Sequence, residues 1–161
     1  KLKDTTLIFS AHGLPENKIK KGDPYQWQVE QSVKELVKEL SIKKLNYILS
    51  YQSRVGPLKW IGPSTEKIIK DEAKKQKIII VVPVAFVSEH SETLVELDIE
   101  YRKLAEENGS KEYIRIPAVT VNQDFINSLK SNILLASNGK KFTSLIMCPD
   151  KFIKCPRLQN I

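Results

Sequence analysis

The chain's 161 residues suffice for one domain, which would bury roughly two-thirds of its unfolded surface. Its 41% hydrophobic and 28% charged residues are ordinary for a globular protein, and its longest apolar run, Ile78 to Val87, is about half a membrane span and is broken by Pro83. The net charge of +7 comes from lysines scattered along the chain rather than clustered with aromatics, so a solvated basic surface is expected and nucleic-acid binding is not.

Thr5 to Ala11 reads as a short apolar strand, followed by a loop containing Gly13, Pro15 and Gly22. Asp23-Pro24 should open a helix, with Asp as N-cap and Pro at the first helical position, where its missing N–H costs nothing. That helix is predicted to reach Leu40, with Val29, Val33, Leu36, Val37 and Leu40 on its inner face. Leu45 to Tyr51 is the second strand, and the Gly- and Pro-rich stretch from Gln52 to Pro63 is an irregular loop. A lysine- and glutamate-rich helix follows over Ser64–Lys75. Ile78 to Ala85, apolar throughout, is expected to be the third and most buried strand. A helix from Glu89 to Asn108 should stop at Gly109, a left-handed C-cap. Tyr113 to Ile116 is the fourth strand, Gln123 to Ala136 the last helix, and 137–161 a loop and tail.

Strands joined by helical crossovers must run parallel, because the crossovers are right-handed. The expected fold is therefore α/β: a Rossmann-like open parallel sheet of about four strands with helices on both faces, forming a single domain over 1–161. G-x-G-x-x-G and the P-loop are absent, so no nucleotide motif is present. Met147 is the only methionine and no secretory leader precedes the first strand, so a processed chain or a piece of a longer one is expected. Cys148 and Cys155 are the only cysteines and read as ordinary thiols of a reducing cytosol.

Ligands of open α/β sheets bind beyond the carboxyl ends of the strands. Both histidines of the chain, His12 and His90, fall there, as do Gln52, Ser53 and Trp60. A lone loop histidine is more often a satisfied side chain than a site, but two on one rim beside a carboxylate raise the second reading to parity. Imidazole with carboxylate oxygens suits a borderline divalent metal such as Fe²⁺. Seven acidic residues between Glu89 and Glu107 make a local acidic stretch in a basic chain, and Glu92, Glu96 and Glu100 at i, i+4, i+8 share one helix face. That row is either a solvated surface or a path for a hydrated cation or departing protons. Trp60 is either an anchor packed on the core or a flat surface for a planar ligand.

Several stretches resemble ferrochelatases. Ser10-Ala11-His12-Gly13-Leu14-Pro15, Gly22-Asp23-Pro24-Tyr25, Gln52-Ser53-Arg54-Val55-Gly56-Pro57 and Trp60-Ile61-Gly62-Pro63 each match a family motif. The near-continuous run from Pro83 to Tyr101, containing Ser88-Glu89-His90-Ser91-Glu92-Thr93-Leu94, is the most specific. The resemblance covers about residues 5 to 135 and is to the family's C-terminal domain, with the N-terminal half absent.

The resemblance implies insertion of ferrous iron into protoporphyrin IX to form protohaem. It makes His12 and Glu92 the catalytic pair, with His90, Ser53 and Gln52 supporting, and Trp60 and Ser10 bordering the porphyrin. His12, Glu92, Glu96 and Glu100 become the metal-handling set. Glu96, Asp98 and Glu100 resemble the family's acidic helix, locally widened to a π-helix and proposed as a conduit. No organic cofactor is implied. Iron is substrate, and a [2Fe–2S] cluster, which needs four ligands, is not expected from Cys148 and Cys155 alone. The expected partners are protoporphyrin IX, Fe²⁺ and the N-terminal half. The expected location is the cytoplasm, with peripheral membrane contact as a variant of it. The alternatives are a catalytically incomplete porphyrin- or metal-binding half-domain and a small sirohydrochlorin-type chelatase acting as a dimer.

Overall fold

The computed structural model describes residues 2–138 and 148–155; within the expected tail, 139–147 and 156–161 lie outside the described residues. After a 3₁₀ turn at Leu2–Asp4, the elements are β1 (Thr5–His12), α1 (Glu16–Lys20), α2 (Tyr25–Leu40), β2 (Tyr47–Gln52), α3 (Thr65–Lys74), β3 (Ile78–Pro83), a π-helix (Glu92–Glu100), α4 (Tyr101–Glu107), β4 (Glu112–Arg115) and α5 (Gln123–Ser137). The four strands make one all-parallel open sheet in the order β2-β1-β3-β4. This is the α/β architecture expected from the alternation of strand and helix patterns.

The two faces of β1 divide the core. Leu7, Phe9 and Ala11 pack against Val29 and Val33 of α2. Ile8, one residue out of phase, joins Ile69 and Ala73 of α3, Leu97 of the π-helix and Ala105 of α4 on the other side. β1, not β3, is the most buried strand, with residues 6–11 all buried while β3 alternates between buried and half-buried. β1 pairs on both edges and lies under helices on both faces; on β3 the residues facing the α2 side are only partly covered.

Local signals acted close to where they were read. Asp23 caps α2 by accepting a hydrogen bond from the Tyr25 backbone at 2.9 Å, and Pro24 after it already holds right-handed helical dihedrals, as expected. Ser64 caps α3 through a bond from the Lys67 N–H. Two expectations for α2 fail: Leu36 and Leu40 are about half exposed, because no element of the described residues covers that end of the helix. The helix expected to start at Glu89 starts later and is not uniform. Residues 86–90 remain a loop, Ser91 enters the helix, and the next nine residues carry π-type hydrogen bonding before α4 resumes the normal pitch and ends at Gly109, whose φ is +88°.

Candidate functional site

The strand order reverses direction between β1 and β3, so the crevice beyond their carboxyl ends is the topological switch point of the sheet. His12 is the last residue of β1 and lies in register with Gln52, the last of β2; both belong to strands rather than to the loops beyond. Gly13 follows, its N–H bonded to the Gln52 carbonyl at 2.9 Å. A Cβ on Gly13 would sit 2.8 Å from that same oxygen, so only glycine allows the two strand ends to meet this closely.

The π-helix starts opposite these strand ends. Glu92 Oε2 lies 2.7 Å from His12 Nδ1, with both side chains partly exposed at 33% and 42%. A carboxylate oxygen accepts, so Nδ1 is the donor of this bond and Nε2 takes no part in it. Behind His12, the Tyr25 hydroxyl donates to its backbone carbonyl at 2.9 Å. Burial, and then the Glu92 charge, push the Tyr25 phenol up to about 12, so it remains a donor at neutral pH.

Glu96, one turn further along, is held by four donors. Oε1 accepts from the Ser53 N–H at 2.9 Å and the Tyr101 hydroxyl at 2.8 Å. Oε2 accepts from the Ser53 hydroxyl at 2.6 Å and Gln52 Nε2 at 3.1 Å. Ser53 adopts a left-handed backbone, φ 55°, which turns its N–H and hydroxyl toward the same carboxylate. Its Oγ also lies 3.2 Å from Glu92 Oε2, between the two acids. Burial, then the adjacent Glu96 charge, keep the Tyr101 phenol protonated. The two carboxylates thus differ: Glu96 is saturated, whereas Glu92 Oε1 takes part in none of these bonds.

Gln52 is only 1% exposed. Its Oε1 accepts from Ser10 Oγ at 2.8 Å, which fixes the amide so that Nε2 faces the π-helix and also reaches the Glu92 carbonyl at 3.2 Å. Ser10 itself is fully buried and bonded to Thr65, so it supports Gln52 from below instead of presenting a surface to a ligand. His90 Nδ1 accepts from the Glu92 N–H at 3.2 Å, satisfying an orphan donor at the helix start, and its ring lies 5.2 Å from that of Phe86. Trp60 is half-buried, bridges Pro15 through its backbone and lies over Gly13; its indole Nε1 is buried without a partner among the described residues.

The acidic row does not act as one face. Glu96 and Glu100 line a cavity of about 350 Å³ with Ser53, Arg54, Glu66 and Tyr101. Asp98 turns away to pair with Arg102 at 2.6 Å and Arg115 at 3.1 Å. No three His, Cys, Asp or Glu side chains gather as a metal cage among the described residues, so the expected set of His12, Glu92, Glu96 and Glu100 is spread along the crevice. Cys148 and Cys155 form no disulfide; both are buried beside Phe152 and Trp27, remote in sequence from these groups. Among the described residues no helix is long and apolar enough to cross a membrane.

Sequence reading missed Tyr25, Thr65, Tyr101 and Arg115. For the first three no local pattern announced a partner, since the partners lie 13, 55 and 5 residues away at no α-helical or strand spacing. Arg115 left a faint signal: a lone guanidinium in a four-residue strand requires a buried acid.

The family model for ferrochelatases matches residues 1–136. The chain is 61% identical to the ferrochelatase of Pelagibacter ubique over 98% of its own length and 47% of that protein's. It is 52% identical to the ferrochelatase of Rickettsia conorii and 51% to that of Rickettsia prowazekii, in each case over 95% of this chain and 46% of the relative. The chain spans about half the length of these curated relatives. It belongs to the ferrochelatase family.

Proposed function

From that membership we propose that the chain is the C-terminal half of an enzyme that inserts Fe²⁺ into protoporphyrin IX to give protohaem. The 1–161 segment would act as one α/β domain, and the half supplied from outside it would form the opposite wall of the cleft. The observation that carries the reading is the His12–Glu92 pair, 2.7 Å apart at the switch point of the sheet.

Metal insertion requires water to be stripped from the ion, the macrocycle to be bent so that its nitrogens are exposed, and two pyrrole protons to be removed. His12 suits the last of these steps. A neutral imidazole held by Glu92 through Nδ1 has an acceptor at Nε2, and a base must come within about 3 Å of the proton it takes. Glu92 keeps one carboxylate oxygen outside the hydrogen-bond network, which suits it to replace a metal-bound water. Tyr25, Gln52, Ser53 and His90 would position this pair. Ser10 would act one step further back, by fixing the Gln52 amide, rather than by touching porphyrin. Trp60, with its unpartnered indole N–H, would border the macrocycle, and Glu96 and Glu100 would attract the hydrated ion toward the crevice without caging it.

The test is to prepare the chain alone and joined to the missing half, then follow the absorbance change on mixing with protoporphyrin and Fe²⁺ or Zn²⁺. The joined protein should metallate and the isolated chain should do so poorly, since positioning a substrate between two walls supplies much of such a rate. Silence from the joined protein, or metallation of sirohydrochlorin in preference to protoporphyrin, would overturn the assignment.

A further inference from the structure

We propose that Arg115 is a positioning residue that locks the loop carrying His90 to the π-helix carrying Glu92, so that the two segments after β3 move as one. What the lock serves rests on the function proposed above; the lock itself does not.

Arg115 ends β4, and its side chain is only 9% exposed. One arm of its guanidinium, Nη1, donates to Glu89 Oε1 at 2.6 Å, and the other, Nη2, to Asp98 Oδ2 at 3.1 Å. Glu89 immediately precedes His90, and its Oε1 also accepts from the Ala118 N–H at 2.9 Å. Asp98 projects from the side of the π-helix away from Ser53. Its other oxygen is taken by Arg102 at 2.6 Å, and Arg102 reaches on to the Tyr113 carbonyl at 2.8 Å. The Tyr113 hydroxyl in turn donates to the Leu97 carbonyl.

A single planar fork therefore spans the loop and the helix. Lysine would keep the charge but could not present two fixed donors to two acids. The site side of the π-helix is gripped through Glu92 and Glu96, Thr93 and Leu97 are buried beneath it, and a second polar grip from behind opposes rotation about the helix axis. Glu92 gains that grip twice, through Asp98 on its own helix and through Glu89 and His90, whose ring nitrogen caps the Glu92 N–H. The network has no slack: Arg115 Nε and Glu89 Oε2 are buried without a protein partner among the described residues. Losing another bond would leave a buried charge uncompensated.

The experiment compares wild type with Arg115→Lys in the joined protein, measuring kcat, porphyrin KM, thermal midpoint and amide hydrogen exchange. A lost outer partner typically costs about 10- to 100-fold in activity. The expected result is a fall in kcat of that order with KM within about twofold, and faster exchange over residues 92–100 with β1 unchanged. Glu89→Gln and Asp98→Asn should each lower kcat, and their combination should cost less than the product of the two. If Arg115→Lys fails to fold, Asp98→Asn takes its place with the same readouts. Unchanged kcat and unchanged π-helix exchange, with only a lower midpoint, would show a purely structural residue and overturn the proposal. If wild type itself inserts no metal, the function above fails, and the exchange comparison still decides the lock.

Discussion

The π-helix and α5 have comparable apolar content, yet they meet opposite fates. In the π-helix Thr93 and Leu97 are fully buried, and polar partners hold it from both sides: Gln52, Ser53 and His12 in front, Arg115 behind. α5 buries no residue and leaves Ile133 67% and Leu134 52% exposed. Its hydrogen bonds beyond the helix ladder are local ones, such as the Asn122 cap and the Gln123–Asn127 pair. An apolar stripe is enough to predict a helix, but cross-chain polar contacts and a facing surface decide where that helix rests.

The contrast can be broken at its strongest point first. His12→Ala in the joined protein should lower metal insertion by about 10²-fold or more, the scale of a lost general base, with little change in the thermal midpoint. Insertion at the wild-type rate would remove His12 from the chemistry. A smaller effect grades the π-helix itself. Glu92→Gln should slow insertion more than Glu96→Gln or Glu100→Gln at moderate salt, where screening blunts the outer charges. Equal losses at all three positions would mean that the acids act as an undivided field.

Acid should produce the smallest and most selective effect. The Arg102 and Arg115 hydrogen bonds hold the Asp98 carboxyl below its usual range. Burial alone would raise the Glu89 carboxyl, but the polar surroundings supplied by the Thr93 hydroxyl, Arg115 and the Ala118 N–H outweigh it, and the group also ends below normal. A depressed carboxyl contributes stability that is present above its unfolded value of about 4 and is lost as pH falls through the lower folded value. In metal-free protein the π-helix amides should therefore lose exchange protection below about pH 4. α5, which has no ion pair among the described residues, should not respond in the same window; loosening of both together would refute the distinction.

Much of this was legible in the chain itself. The parallel sheet followed from the strand–helix alternation, and the His12 rim from its place after an apolar strand. The pairing of His12 with Glu92, eighty residues apart, could be expected because His12 follows one strand and Glu92 opens the acidic helix that follows another, on the same rim. The widened helix was not legible from spacing, since acids at i, i+4 and i+8 suit an α-helix equally; only the resemblance suggested it. Leu36 and Leu40 show the converse failure. Their periodicity marks an apolar face correctly, but periodicity cannot say whether the covering surface lies in the same chain. Ser10 and His12, two residues apart on β1, share a face, but the sequence does not show that Gln52 and Thr65 cover Ser10 while His12 stays partly exposed at the strand end.

The π-helix also sets how the segment tolerates changes of length. Between Glu92 and Asp98 the helix is fastened to partners on opposite sides, Ser53 in front and Arg115 behind. Removing or adding one residue there would swing everything downstream by roughly a quarter turn around the axis, the turn contributed by one residue of such a widened helix. The front and rear fastenings could then not both be met. The stretch from Ser41 to Lys44, exposed throughout and bonded only locally, has no such constraint. Insertions and deletions should therefore accumulate in that loop during divergence and be purged from the six-residue interval after Glu92, which acts as a ruler for the site.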